Sequence, residues 1–349
     1  MTARRRQLGG PATWMLAAAL AAAGTARNGA AQSARGTFFQ SDSVLAVTLR
    51  TDLRTLLRDR DTANSEWRAA TLTYAGPDSA VTVPLRVRTR GLYRLTNCEF
   101  PPIRLRFDQN EVRGTVWDDL RRPKLVTHCE NRDEYEQNLL QEYAIYRILR
   151  LFTPVSFGAR LLHVTYEDSA GRARPVTRYG IVTEDPEHLA ERLGGTLVDS
   201  AGYRIDRLQR SNAVMLSVFQ YFIANTDWAI AFLHNIELVR MADGLHGVPF
   251  DFDWSGVVNA RYARPNPVTH LITVRQRLYR GLCLPQDRFE PVLARFEALR
   301  DTIAAVYRAV PGLEPRLVER TLRYYDEFYS AIADRTRFFR REIEPNCGV

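Results

Sequence analysis

Lysine is almost missing from this sequence, since Lys124 is the only one among 48 basic residues and the rest are arginine. No CxxC pair is present, which argues against a structural zinc site. No internal repeat or low-complexity tract occurs, and no apolar run beyond the N-terminal segment is long enough to span a bilayer. No GxGxxG loop lies in the first half, where Gly91 is the only glycine placed to turn over a phosphate group. What remains is an ordinary globular composition, 45% hydrophobic and 25% charged, in a chain long enough for two lobes.

The N-terminus has the pattern of an export signal. Arg4, Arg5 and Arg6 precede an apolar run from Trp14 to Gly24, and small residues follow as far as Ala31. This order predicts a signal peptide over residues 1–31 and a periplasmic or extracellular protein without a transmembrane segment after cleavage. Two alternatives stay open, a buried N-terminal helix and a retained membrane anchor.

The charge that remains after cleavage is mild. Residues 1–31 carry four arginines and no acid, so their removal lowers the formal net charge from +8 to +4. The arginines of RVRTRG and RLRF alternate with apolar residues, as on the solvent face of strands. We therefore expect a solvated basic surface and no nucleic-acid partner, because nucleic-acid binding usually needs a stronger and more clustered excess.

The chain has four cysteines, and an even number in an exported protein predicts disulfides. Cys98 precedes the predicted strand PPIRLRF, and Cys129 ends the predicted strand KLVTHC. Adjacent strands would bring these two together, so we expect a Cys98–Cys129 bond. Cys283 is then left to pair with Cys347.

The order of predicted elements divides the chain into two lobes. Strand patterns dominate residues 44–129, and a helix is predicted over 133–152. After two further strands the second half is mostly helical, with a small hairpin formed by HNIELVRM and GVPFDFD. This α+β layout resembles a bilobal protein-kinase fold. An antiparallel-sheet N-lobe with one long helix would occupy residues 32–185, and a mostly helical C-lobe residues 186–349.

The acids around the hairpin match the chemistry of such a fold. In protein kinases an Asp before the hairpin serves as base, an Asn a few residues later binds metal, and an Asp after it binds the phosphate-bridging metal. This chain presents Asp227, Asn235 and Asp251 in that order, with Asp253 as a possible second ligand. The interval from Asp227 to Asn235 is longer than usual, so His234 is an alternative to the amide.

The sequence also resembles the CotH kinase-like proteins, atypical kinases named for spore coat protein H, and above all their secreted relatives. The motifs that carry this resemblance are RVRTRG with RLRF, NLLQEYAIYRIL, RLLHVTYED, RYGIVTED, and NTDW…HN with PFDFD. It implies ATP, Mg²⁺ or Mn²⁺, and phosphoryl transfer to a serine of a protein substrate. By the same resemblance Asp227 is the catalytic acid, and Asn235 and Asp251 are metal ligands.

The lone lysine is a separate observation. Lys124 lies on the strand before the long helix, where a kinase has its phosphate-binding lysine, and Glu142 in that helix is placed to pair with it. Glu134 and Glu136 compete for this role, but both lie near the helix start, where acids suit the helix dipole. The alternative is that Lys124 is a surface residue that survived by chance.

Simpler explanations of the acids stay open. Asp227 could cap a turn, and Asp251 and Asp253 could lie on opposite faces of a strand with one of them meeting an arginine. Three functions follow from these alternatives. They are an exported kinase, a non-catalytic pseudokinase that binds a nucleotide or a partner, and a metal-dependent hydrolase.

Overall fold

A computed structural model describes residues 38–348, so the expected signal peptide over residues 1–31 lies outside the described residues. The first half forms seven strands in which buried and exposed side chains mostly alternate. They are β1 Leu45–Thr51, β2 Arg68–Ala75, β3 Ala80–Thr89, β4 Ile103–Phe107, β5 Lys124–Val126, β6 Ala159–Asp168 and β7 Val176–Thr183. These strands close into a barrel in the order β1-β2-β3-β4-β5-β7-β6, with β6 pairing back to β1.

The expected bilobal kinase-like fold with an antiparallel-sheet N-lobe is therefore wrong. Six of the strand pairs are antiparallel, but β1 and β6 pair in parallel, from Leu45 opposite Leu162 to Thr51 opposite Asp168. This pairing closes the sheet and makes it mixed. Apolar alternation located the strands correctly, but it says nothing about which strands pair when more than a hundred residues separate them.

The described residues form nine α-helices. They are α1 Leu53–Arg58, α2 Tyr93–Asn97, α3 Asp133–Phe152, α4 Pro186–Arg192, α5 Arg210–Phe222, α6 Glu290–Ala298, α7 Arg300–Arg308, α8 Pro315–Ala333 and α9 Arg335–Phe338. In the described second half, residues 290–338 are almost continuously helical, as the pattern predicted, but residues 223–289 contain no α-helix. The expected mostly helical C-lobe is therefore not confirmed as a whole.

The long helix α3 joins the two halves. It has the predicted bounds, with acids in its first turn and an end at Thr153 just before a proline. Ten of its side chains are buried, and it packs against β6 and β7 on one side and α7 on the other. Glu142 and Tyr146 project from this helix toward Asp251 and Asp253 of the second half.

The second half holds a three-stranded sheet beside α5. Its strands are β8 Thr196–Leu197, β9 Ile236–Met241 and β10 Gly244–Pro249, in the order β10-β9-β8. The last two form the predicted hairpin, paired from Met241 opposite Gly244 to Ile236 opposite Pro249. The open end of this hairpin faces α3, and Asp251 and Asp253 lie there.

Both expected disulfides are confirmed. Cys98 is bonded to Cys129 and Cys283 to Cys347, so the described residues contain no free cysteine. Such bonds persist in oxidising compartments, which indicates an exported chain. Within residues 38–348, no helix is both long and apolar enough to cross a membrane.

Candidate functional site

Asn235 and Asp251 lie together at the open end of the hairpin. Asn235 immediately precedes β9, and its carbonyl oxygen accepts a hydrogen bond of 3.1 Å from the backbone N–H of Phe250. Asp251 is the next residue after Phe250, and its own N–H donates to the Tyr146 hydroxyl of α3 at 2.9 Å. The sequence-predicted amide and acid are therefore brought to one place by strand pairing.

Asp227 is held against Asn235 and His234. The Asn235 Nδ2 donates to both the backbone oxygen and the Oδ2 of Asp227, at 2.8 and 3.0 Å. The other carboxylate oxygen, Oδ1, lies 2.9 Å from His234 Nε2, and this hydrogen bond raises the pKa of His234 above its ordinary value. His234 is thus a hydrogen-bond partner of Asp227.

This arrangement leaves an oxygen of Asn235 free. Both contacts of the amide to Asp227 use Nδ2, and Oδ1 has no hydrogen bond within the described part of the chain. An amide oxygen beside a carboxylate is a suitable ligand pair for a hard divalent cation.

A second group of acids lies deeper, behind Asp251. Asp253 is buried, accepts a hydrogen bond of 2.8 Å from the Tyr262 hydroxyl and lies 3.9 Å from Arg94 Nη1. Burial and the neighbouring charge of Asp251 raise the pKa of Asp253 to about 7. Glu142 is also fully buried, and burial with the charges of Asp253 and Asp251 raises its pKa well above the ordinary value.

The acids of PFDFD share one cluster, so the alternative of opposite strand faces is wrong. The strand β10 ends at Pro249, and Asp251 has a φ of +60°, which turns the chain out of the extended conformation. The turn brings the side chain of Asp251 to that of Asp253, so period-two alternation no longer applies. The expectation that one acid would meet an arginine is confirmed by Arg94 and Asp253.

Lys124 is buried on β5 without an acidic partner. Its Nζ lies 4.3 Å from the ring centroid of Phe250 and 5.8 Å from that of Phe157, and it forms no hydrogen bond or ion pair within residues 38–348. Burial and the charge of Arg90 lower the pKa of Lys124 to about 7, although Glu237 opposes them. A surface lysine is excluded, and a buried ammonium with such a shifted pKa is typical of functional sites.

The expected ion pair between Lys124 and Glu142 is not formed in the described structure. Arg94, rather than the lysine, is the cation that lowers the pKa of Glu142, and one oxygen of that carboxylate, Oε1, has no hydrogen-bond partner. The competing acids have other partners, since Glu134 binds Arg261 and Glu136 binds Arg178.

The donor atoms fit a cation that is shared with a ligand better than a closed metal site. Within residues 38–348, no group of three or more His, Cys, Asp and Glu side chains is placed to hold a metal ion. Mg²⁺ commonly takes one or two carboxylates and completes its shell with water and substrate phosphates. Asp251 and the Asn235 oxygen, with Asp253 behind them, match that pattern.

Sequence reasoning missed the arginines of this site. Arg94 lies on α2, just after the turn at Gly91, and its guanidinium also donates to the backbone oxygen of Thr127. Arg90 is half-buried and lies near Asp251. Burial lowers the pKa of Arg90, and the negative charge of Asp251 partly offsets this effect. For Arg90 the only signal was the arginine alternation of RVRTRG, which equally suits a solvated strand face, and Arg94 lies outside that motif.

No model of a known protein family matches this chain, and no curated protein is significantly similar to it in sequence.

Proposed function

We propose that this exported protein is a metal-dependent kinase that transfers the terminal phosphoryl group of ATP to a hydroxyl of a protein, serine being the expected acceptor. The site would work in the periplasm or outside the cell. The resemblance to the CotH kinase-like proteins supports the same function.

The observation that carries the proposal is that the buried Lys124 ammonium has no anionic partner. The buried acids Glu142 and Asp253, in turn, have only Arg94 as a nearby cation. Lys124 experiences the charge of Asp251, yet no ion pair joins it to any acid in the described part of the chain. Buried charges left unpaired cost several kcal/mol, so a ligand that satisfies them has much to contribute. A phosphate chain with a divalent cation would neutralise both sides at once.

Each residue then has a distinct task. Lys124 contacts phosphate oxygens, and Asp251 with Asn235 holds Mg²⁺ or Mn²⁺, which offsets the charge of the transferring group. Asp227 accepts the proton of the acceptor hydroxyl, and His234 fixes the orientation of that carboxylate.

The step balances without any further reactant. The acceptor oxygen forms a bond to the terminal phosphorus, and the bond from that phosphorus to the bridging oxygen breaks. The nucleoside diphosphate leaves with the electron pair of the broken bond, and the hydroxyl proton moves to Asp227.

One observation favours the non-catalytic alternative, a pseudokinase that binds a nucleotide or a partner. The acids and histidines of the described residues do not assemble a three-ligand metal group. Binding alone would need Lys124 and the arginines but no base, whereas the held Asp227 carboxylate favours catalysis.

The test measures thermal melting with Mn²⁺, Mg²⁺ and ATP together with phosphate transfer to serine-containing proteins. Wild type should gain about 2.7 kcal/mol of stability at a hundredfold excess over the dissociation constant. Asp251→Asn should lose most of that gain, and Asp227→Asn should keep it while losing transfer. Asp243→Asn is the matched control, because that exposed acid lies at the closed end of the same hairpin and should change neither quantity.

The outcomes separate the two functions. If wild type shows no shift with metal or nucleotide, the kinase and the nucleotide-binding pseudokinase are both excluded. If wild type and Asp227→Asn shift alike and neither transfers phosphate to any protein tried, the pseudokinase is the function.

A further inference from the structure

The outer face of the barrel places arginines directly opposite one another. In the strand register Arg86 faces Arg106, Arg88 faces Arg104, and Arg104 in turn faces Lys124 across β4 and β5. Like charges in directly opposed positions destabilise a sheet. The opposed charges therefore cost stability, and an anionic ligand would offset that cost.

Most of these arginines line a cavity of about 610 Å³ between the barrel and the second half. We call its basic side the arginine wall, which consists of Arg88, Arg104, Arg106, Arg121 and Arg122. The facing side is formed by Pro186, Glu187, Leu197, Asp199 and Glu237. Glu237 raises the pKa of Lys124, and Arg104 lies opposite Lys124 in the strand register, so two residues of the cavity lining are neighbours of the lysine described above.

Three arginines of the wall have no polar partner among the described residues, although two of them lie over the Trp67 ring. The side chains of Arg88, Arg106 and Arg121 form no hydrogen bond or ion pair with the described residues. Arg104 is partly engaged, at 3.7 Å from Asp185, and Arg122 lies 3.1 Å from Glu187. A guanidinium offers a fork of donors that matches phosphate oxygens, so those without a polar partner suit a phosphate chain.

The cavity offers little to a nucleobase. Its half-buried aromatic ring is that of Trp67, and the guanidinium carbons of Arg88 and Arg106 already lie over it at 4.7 and 5.8 Å from its centroid. The other aromatic residue of the lining, Phe107, is buried in the barrel core. A base would have to displace an arginine to stack there.

We propose that the arginine wall binds the phosphate chain of the donor, so that the donor is recognised by its polyphosphate and not by its base. This inference rests on the proposed function, since the terminal phosphate would extend from the wall to Lys124 and Asp251. The wall takes the place of the glycine-rich loop that the sequence lacks. Inorganic polyphosphate and nucleoside triphosphates with any base then belong to one donor class, which suits a compartment where ATP is scarce.

The test compares binding of inorganic tripolyphosphate, ATP, GTP and UTP to the mature protein by calorimetry, all in the same excess of Mg²⁺. The three nucleotides should bind within about threefold of one another, and tripolyphosphate should compete with each. Arg88→Gln and Arg106→Gln should each weaken all four about tenfold, the loss expected for one charged hydrogen bond. Arg50→Gln is the matched control, an exposed outward arginine on β1 away from the cavity.

Each result has a clear consequence. Tripolyphosphate binding that falls in Arg88→Gln and Arg106→Gln supports the wall, even if no phosphate transfer is ever detected. If ATP binds and is used as donor while tripolyphosphate does not compete, the wall is refuted and the kinase stands. If the two wall variants bind ATP like Arg50→Gln, the wall is likewise refuted, and if nothing binds, both proposals fail.

Discussion

Replacing Lys124 by methionine should stabilise the ligand-free protein at neutral pH. The pKa of Lys124 is about 7 in the folded protein against an ordinary 10.5, because burial penalises the ammonium. Each pKa unit corresponds to about 1.36 kcal/mol, so this difference corresponds to about 5 kcal/mol of folding free energy. The Phe250 ring, 4.3 Å from Nζ, offsets up to about 2 kcal/mol. Methionine fills a similar apolar space without charge, so we expect a net gain of about 3 kcal/mol at pH 7.

The sign of the pH dependence follows from the same values. Between pH 7 and 10.5 the folded protein holds fewer protons at Lys124 than the unfolded chain, so stability rises with pH across that window. The full penalty is present below pH 7 and is lost as the pH approaches 10.5. The advantage of Lys124→Met should therefore shrink toward zero at alkaline pH. The charged groups facing this ammonium are Arg90, Arg104, Glu237 and Asp251, and none of them forms an ion pair with it.

The assay is urea unfolding of wild type and Lys124→Met at pH 7 and at pH 9.5, without ligand or thiol. Titrations common to both proteins cancel in the difference between them. Donor binding is measured in parallel and should be lost in the variant. A Lys124→Met protein that is less stable than wild type by the same amount at both pH values would show a structural lysine and refute the reasoning.

Two further predictions concern the same region. Lys124→Arg keeps the charge but should weaken ATP binding at least tenfold, because the planar guanidinium does not fit the space of a compact ammonium; wild-type affinity by calorimetry would contradict this. Replacing Cys98 and Cys129 together by alanine should cost about 3–4 kcal/mol in the chain-entropy model for a separation of 31 residues, measured by urea unfolding. That pair should also weaken ATP binding, because the bond ties down α2 and its buried arginine. Alanine at Cys283 and Cys347 is the control, with a comparable stability loss and unchanged binding; equal effects of the two pairs on binding would contradict the assignment.

Local features of the fold were predictable from the sequence, but the closure of the barrel was not. The bounds of α3 follow from its apolar spacing, its acidic first turn and the proline after it. The Cys98–Cys129 bond follows from the predicted strands on either side of it. The parallel pairing of β1 with β6 joins two apolar strands that are more than a hundred residues apart in the sequence. No local sequence pattern predicts such a long-range pairing.

The sequence predicted which residues form the site better than it predicted how they contact one another. Asp227, Asn235 and Asp251 are brought to one end of the hairpin, as their order around it suggested. The pairing of Lys124 with Glu142 was wrong because side-chain direction on β5 and the position of an arginine on a short helix decide it. Residue type and spacing predict neither the side-chain direction nor the position of that arginine.

Part of the backbone strain of the described residues lies where the function is proposed, because three of their seven non-glycine residues with positive φ flank the hairpin. Leu233, Asn235 and Asp251 all have left-handed φ values of 51° to 60°, a region that costs a residue with a side chain about 1–3 kcal/mol. They flank the acid cluster and the open end of the hairpin. The neighbouring β5 carries a buried lysine without a counter-ion, and α3 carries a glutamate oxygen without a donor. A scaffold selected only for stability would remove such costs one by one, whereas a site that binds a charged ligand needs them together, because the ligand supplies the missing partners.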